Sequence, residues 1–215
     1  MDHTNMTEPV NISGRIDVRH RIVYTGAKMG MWIFLFTEVL FFGGLFLLYS
    51  VFRSKYTLEF HNSASELNLY FGVANTVILL SSSMTMALSI ALMRHDRKGL
   101  SLLCQGITIL LGTVFLIDKY MEWSAHIQHG MYPDSPLLLG MSRGKIVFFS
   151  LYYVMTGLHG LHVLIGICVI AGMLVLTLKG SINRGDFVKL ENTGLYWHLV
   201  DIIWIYLFPL FYLIT

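Results

Sequence analysis

Charge is what this sequence has least of. Asp, Glu, Lys and Arg make up 13 % of its 215 residues, against about a quarter in ordinary soluble domains, which excludes a water-exposed fold around one modest core. The net charge of +2 is divided among several loops, so nucleic-acid binding is excluded as well. Only Cys104 and Cys168 are available as thiols, and both lie inside apolar runs. That rules out a disulfide framework and any CxxC or Cys/His metal pattern. No apolar stretch occurs in the first 28 residues, which are read as a polar tail and not as a cleavable signal. No repeat relates two halves of the chain, so the inverted-repeat transporter pattern has no support.

What the sequence has in abundance is hydrocarbon: 55 % hydrophobic residues and a mean hydropathy of +0.63. These values predict an all-α, polytopic membrane bundle forming a single membrane domain over 1–215. A span needs about 20 apolar residues to cross roughly 30 Å of hydrocarbon. Five runs meet that length: transmembrane helices at about 29–52, 69–93, 99–122, 146–178 and 194–215, after the polar tail 1–28. The fourth run is longer than a perpendicular crossing requires and is expected to tilt or to emerge from the membrane. The short connection at 94–99 makes the second and third spans antiparallel neighbours. Lys and Arg concentrate in the N-terminal tail and in the loops after the second and fourth spans, which predicts the N-terminus inside and the C-terminus outside.

Glu38 stands near the middle of the first span as its only ionisable residue. A carboxylate at that depth costs about 2.5–3.5 kcal/mol on insertion scales, so its side chain is expected to face protein, in a pocket shared with Phe34, Leu35, Phe41, Phe42 and Leu45. His159 and His162, three apart on the fourth span, lie about 60° from one another beside Gly157, Gly160 and Gly166. Their chemistry admits haem or metal ligation and also plain hydrogen-bonded packing. On the fifth span Trp197, His198, Asp201, Trp204 and Phe208 form a stripe about 120° wide that must contact protein. A His and an Asp there suit proton relay, or a static pair satisfying each other or a partner subunit. Asp118 and Glu122 share a face at the end of the third span and read as a solvated helix end. Asn75, Thr76, Ser81, Ser82, Ser83 and Thr85 give the second span hydroxyl and amide groups for packing. Tyr120, Trp123, Tyr196 and Trp197 read as interfacial anchors.

Four stretches occur in order on separate spans: KMGMWIFLFTEVLFFGGLF (Lys28 to Phe46), ANTVILLSSS (Ala74 to Ser83), TGLHGLHVLIG (Thr156 to Gly166) and YWHLVDIIWIYLF (Tyr196 to Phe208). Together they resemble subunit III of the haem-copper respiratory oxidases, the cytochrome c oxidase subunit 3 family, in its five-helix bacterial form. The resemblance covers about residues 22–215. It implies an accessory chain that binds no cofactor of its own, with haem and copper held by oxidase subunits I and II as its partners, and with structural phospholipid. It further implies that Glu38 matches a buried glutamate known for carbodiimide reactivity, and that the first two spans flank a lipid-filled cleft, with His159 and His162 as further cleft candidates. Glu122, Trp197, His198 and Asp201 are expected at packing or subunit interfaces. The family's third subunit supports rapid proton uptake by subunit I and protects it from turnover-linked inactivation. The expected location is the bacterial cytoplasmic membrane, with the outer loop 118–145 available to cytochrome c or a further subunit. Cytochrome c and quinol oxidases have similar third subunits, and nitric-oxide-reductase accessory chains belong to the same superfamily, so the electron donor stays open. Two other classes are a membrane cytochrome using His159, His162 or His198 as ligands, and a proton-coupled transporter using Glu38 and Asp201.

Overall fold

The computed structural model describes residues 12–133, 135–180 and 188–214, with side chains from Thr25 on except that of Leu139. Residues 1–11 of the expected polar tail, Asp134 in the expected outer loop, the connection 181–187 and Thr215 lie outside the described residues. Among the described residues the chain is all-α: α1 (Ile12–Lys55), α2 (Thr57–Ala64), α3 (Leu69–Arg94), α4 (Lys98–Gln128), α5 (Pro136–Leu139), α6 (Arg143–Leu178) and α7 (Val188–Tyr212). Five of them, α1 from Thr25 together with α3, α4, α6 and α7, are long and apolar enough to cross a membrane. The backbone is already helical at Ile12, so part of the expected tail continues α1.

Local chemistry sets the helix ends. Asn68 caps α3 by accepting the Tyr70 N–H at 3.0 Å. At its other end the Asp96 N–H donates to the Met93 carbonyl and the Arg97 N–H to that of Leu92, with Asp96 at φ 60°, a Schellman turn that folds α4 back on α3. The same pair of bonds closes α4, where Gly130 takes φ 71° and the Met131 N–H reaches the His126 carbonyl at 2.9 Å. Antiparallel α3 and α4 are then joined by hydroxyl pairs, Thr85 to Thr108 at 2.8 Å and Ser89 to Ser101 at 3.0 Å.

The last helix is the central one. Of its apolar window 56 % is buried, against 11 % in α1. Trp197, fully buried, is wedged between Gly112 of α4 and Gly166 of α6 while its indole N–H donates to Ser82 of α3 at 3.0 Å. One level along, Trp204 donates to Thr76 at 3.0 Å. Gly72 and Gly194 let α3 and α7 approach, the first beneath Phe208 and Tyr212, the second beneath Ile90. α1 rests on α6 and α7 at the margin of the bundle.

Three expectations change. Trp197 and Tyr196 are not interfacial anchors: both are buried, because small residues on α4 and α6 open a slot for the indole, whereas Tyr120 stays exposed. The third span continues past 122 as α4 to Gln128, and α5 interrupts the outer loop. Glu122 is not solvated: it is 2 % exposed, and Lys119 is buried with it.

A Cβ on Gly112 or Gly166 would stand 2.8 Å from the Trp197 ring. Gly112→Val is therefore expected to destabilise the bundle by about 1–3 kcal/mol, read as a lowered thermal midpoint, and to cost clearly less when combined with Trp197→Leu. Equal losses in both backgrounds would mean that the slot does not set the packing.

Candidate functional site

Glu38 finds its partner on α6. Its Oε2 lies 3.0 Å from His162 Nε2, and the two side chains are 18 % and 14 % exposed. His162 Nδ1 is 2.7 Å from the Leu158 carbonyl, which can only accept, so Nδ1 carries a proton. Nε2 faces the carboxyl oxygen, so a proton on either partner makes this contact a hydrogen bond, and Glu38 is not left facing lipid alone. Phe42, 1 % exposed, stands edge-on to the imidazole at 5.3 Å, and Tyr196 donates to the His162 carbonyl at 3.1 Å, so the ring is held from α1 and α7 together. Both nitrogens of His162 are engaged and unavailable to a metal.

His159 points elsewhere. It is fully buried between Phe115 of α4 and Trp204 of α7, at ring distances of 5.6 and 5.4 Å, and neither nitrogen has a hydrogen-bond partner. The two histidines of the fourth span thus serve different interfaces, one on α1 and one inside the core. His198 is half-buried, with Nδ1 2.7 Å from the Ser83 hydroxyl; Asp201 is 3 % exposed. Among the described residues no group of three or more His, Cys, Asp or Glu side chains is arranged to hold a metal ion.

Two grooves flank α1. One, about 300 Å³ and almost wholly apolar, lies between α1, α6 and α7, is lined by Met31, Phe34, Ile165, Val169 and Tyr196, and stops one helical turn short of Glu38. The other, about 550 Å³, lies between α1, α3 and α7; Lys28, Arg94, His95 and Glu191 form its rim and His198 its inner end. Glu191 binds Lys28 at 3.0 Å and Arg94 at 2.5 Å, joining the start of the apolar part of α1, the end of α3 and the start of α7.

The remaining polar cluster escaped the sequence reading. Lys119 Nζ donates to Glu122 Oε2 at 2.8 Å and to the Tyr212 hydroxyl at 2.7 Å, and stands over the Trp204, Tyr212 and Tyr152 rings at 4.8, 5.1 and 5.4 Å. Tyr152 donates to Glu122 Oε1 at 2.8 Å, and Tyr212 donates to the same oxygen. The available signal was Lys119 and Glu122 three apart on one face, with hydroxyl-bearing aromatics on later spans.

Comparisons with known proteins agree with one another. The family model described as cytochrome c oxidase subunit III matches residues 6–215. The chain is 35 % identical over 189 residues to the cytochrome c oxidase subunit 3 of Thermostichus vulcanus, covering 87 % of each. It is 32 % identical over 189 residues to a probable quinol oxidase subunit 3 of Staphylococcus haemolyticus, covering 87 % of this chain and 88 % of the relative. It is also 30 % identical over 195 residues to a heme-copper oxidase subunit I+III of Aeropyrum pernix, covering 87 % of this chain and 22 % of that longer one.

Removing one member of a buried ion pair costs about 3–5 kcal/mol, whereas replacing both with apolar groups is far less harmful. Lys119→Met and Glu122→Leu are each expected to lower the thermal midpoint of the purified protein sharply, and the double variant to recover most of the loss. Two independent losses that simply add would show that the pair is not coupled.

Proposed function

The chain belongs to the cytochrome c oxidase subunit III family, and from that premise we propose that it is the accessory, non-catalytic member of a respiratory oxidase. Its work is to support the proton uptake and the working lifetime of a neighbouring haem- and copper-bearing centre in subunits I and II. As a subunit III it is part of a haem-copper oxidase of the cytochrome c or quinol type, and it is a multi-pass membrane protein. The relative that joins subunits I and III in one name supports subunit I as its immediate neighbour.

The observation that carries the accessory reading is the closed Glu38–His162 pair. Every nitrogen of His162 is consumed within the bundle, and the carboxyl of Glu38 meets it one helical turn from an apolar crevice. A proton passed from one member of such a pair to the other leaves its net charge unchanged, which suits a group that tunes its surroundings and binds no redox centre. The phospholipid of this reading would sit in the apolar crevice one helical turn from this pair, where Met31, Phe34, Ile165 and Val169 offer acyl-chain contacts. The resemblance sets lipid between the first two spans, where the groove has Trp32, Ile90 and Leu195 along its wall, a charged rim and an imidazole at its inner end. By the positive-inside rule we read the rim of Lys28, Arg94 and Glu191 as the inner, cytoplasmic end. The same rule sets the α4 to α6 connection outside, open to an electron donor or a further subunit.

Purification through a tag on this chain is expected to bring down a haem-bearing and a copper-bearing subunit, seen as a reduced-minus-oxidised haem spectrum and as copper in the sample. A haem spectrum from the isolated chain would contradict the accessory role. In the complex, Glu38→Gln is expected to leave assembly and haem content intact and to change proton-uptake rate or lifetime under turnover only modestly. Outright loss of oxygen reduction would overturn the reading.

A further inference from the structure

The groove of about 550 Å³ between α1, α3 and α7 is a site that the Glu38 reading does not use. Its walls are apolar: Trp32 on α1, Ala87, Ile90 and Ala91 on α3, and Leu195 on α7. It runs along α7 from Glu191 at the rim to His198 at the inner end, about 10 Å of helical rise and so about a third of the hydrocarbon thickness. A groove of this size with apolar walls and one placed polar group has the make-up of a small-molecule site.

His198 supplies that polar group. Its Nδ1 is 2.7 Å from the Ser83 hydroxyl of α3, which fixes the ring, while Nε2 has no hydrogen-bond partner among the described residues and is not enclosed. A ligand in the groove therefore meets a free imidazole nitrogen. Ser83 both donates and accepts, so it supports either tautomer: when it donates to Nδ1 the proton sits on Nε2, and when it accepts from Nδ1 the Nε2 lone pair is open. The walls suit a flat ring. Trp32, 61 % exposed, offers an aromatic face, and Ala87 and Ala91, four residues apart and both exposed, keep the α3 wall low.

Depth decides among the lipids that could enter. The phosphate and ester groups of a phospholipid stay at the membrane boundary, so only its acyl chain would reach His198, and a hydrocarbon chain would leave the imidazole nitrogen covered without a partner. A ring that is itself soluble in the membrane and carries a carbonyl or a phenolic hydroxyl satisfies both the walls and the nitrogen.

We propose that this groove binds the head of a quinone-class lipid, with its ring between Trp32 and the alanine wall and one ring oxygen on His198 Nε2. The oxidised ring accepts a hydrogen bond from Nε2–H. The reduced ring donates its hydroxyl to an unprotonated Nε2, and Ser83 changes from donor to acceptor to suit. The site concerns binding alone, involves neither Glu38 nor a redox step, and serves an oxidase of either donor type.

The test uses the intact oxidase containing this chain and an azido-substituted short-chain ubiquinone, activated by light, with labelled peptides identified by mass spectrometry. Label is expected on the segments around Trp32 and around Ala87 and Ala91, displaced by decylubiquinone but not by dioleoylphosphatidylglycerol. His198→Phe keeps a ring and removes the nitrogens, and is expected to weaken displacement by decylubiquinone about tenfold, the worth of one hydrogen bond. Ala91→Trp adds bulk at an exposed position, so it closes the groove even if the change at His198 hinders assembly, and is expected to abolish the label. The proposal is overturned if these segments take no label, or if neither variant changes it. It is overturned equally if the phospholipid displaces the label as well as the quinone does, the outcome an acyl chain filling the groove would give.

Discussion

The hydrogen bonds from the indoles of α7 to the hydroxyls of α3 hold the centre of this bundle together. Inside a bilayer a buried donor has no water to turn to, and apolar surface gains nothing by leaving lipid for protein. Packing and internal polar bonds must therefore choose the neighbours. Trp197 on Ser82 and Trp204 on Thr76 fix both the spacing and the register of α7 along α3. Once those are set, Gly112 and Gly166 receive the Trp197 ring, and α4 and α6 take their places around it. The single core of the protein is the consequence.

Charge is admitted to this core under strict terms, and the terms differ by depth. Near one end Glu191 gathers Lys28 and Arg94 at the membrane boundary. At the other, Lys119 and Glu122 are enclosed by three aromatic rings and two phenol hydroxyls, which supply the solvation that water would give. Between these ends Glu38 is paired with His162, and Asp201 is buried with no hydrogen-bond partner for either carboxyl oxygen. The bundle thus keeps its Lys and Arg ion pairs toward its two ends and a contact between Glu38 and His162 in its middle.

Much of this was legible in the sequence. Five apolar runs announce five spans, and the tight 94–99 connection makes α3 and α4 antiparallel. The isolation of Glu38 says that it must face protein. Which protein was hidden, because its partner lies 124 residues away and is chosen by how α1 lies across α6. Lys119 and Glu122 were hidden for a different reason: a charged pair three residues apart looks the same whether water or two tyrosines complete it. Trp197 near the start of a span reads as an anchor, since the slot that buries it exists only after α4 and α6 pack. In each case the local pattern was right about chemistry and silent about the neighbour.

The position of α7 has a bearing on biosynthesis. The element around which the others pack is the last of the described helices to leave the ribosome. Until then α3 has no indoles for Thr76 and Ser82, α4 holds Lys119 without the Tyr212 hydroxyl, and α6 carries its glycine slot empty. The first four spans therefore enter the bilayer with these contacts unmade, although α3 and α4 are already joined by their own hydroxyl pairs. Completion of the fold is a late event in translation, and a ribosome that stalls shortly before α7 leaves behind a membrane-bound intermediate suited to quality control.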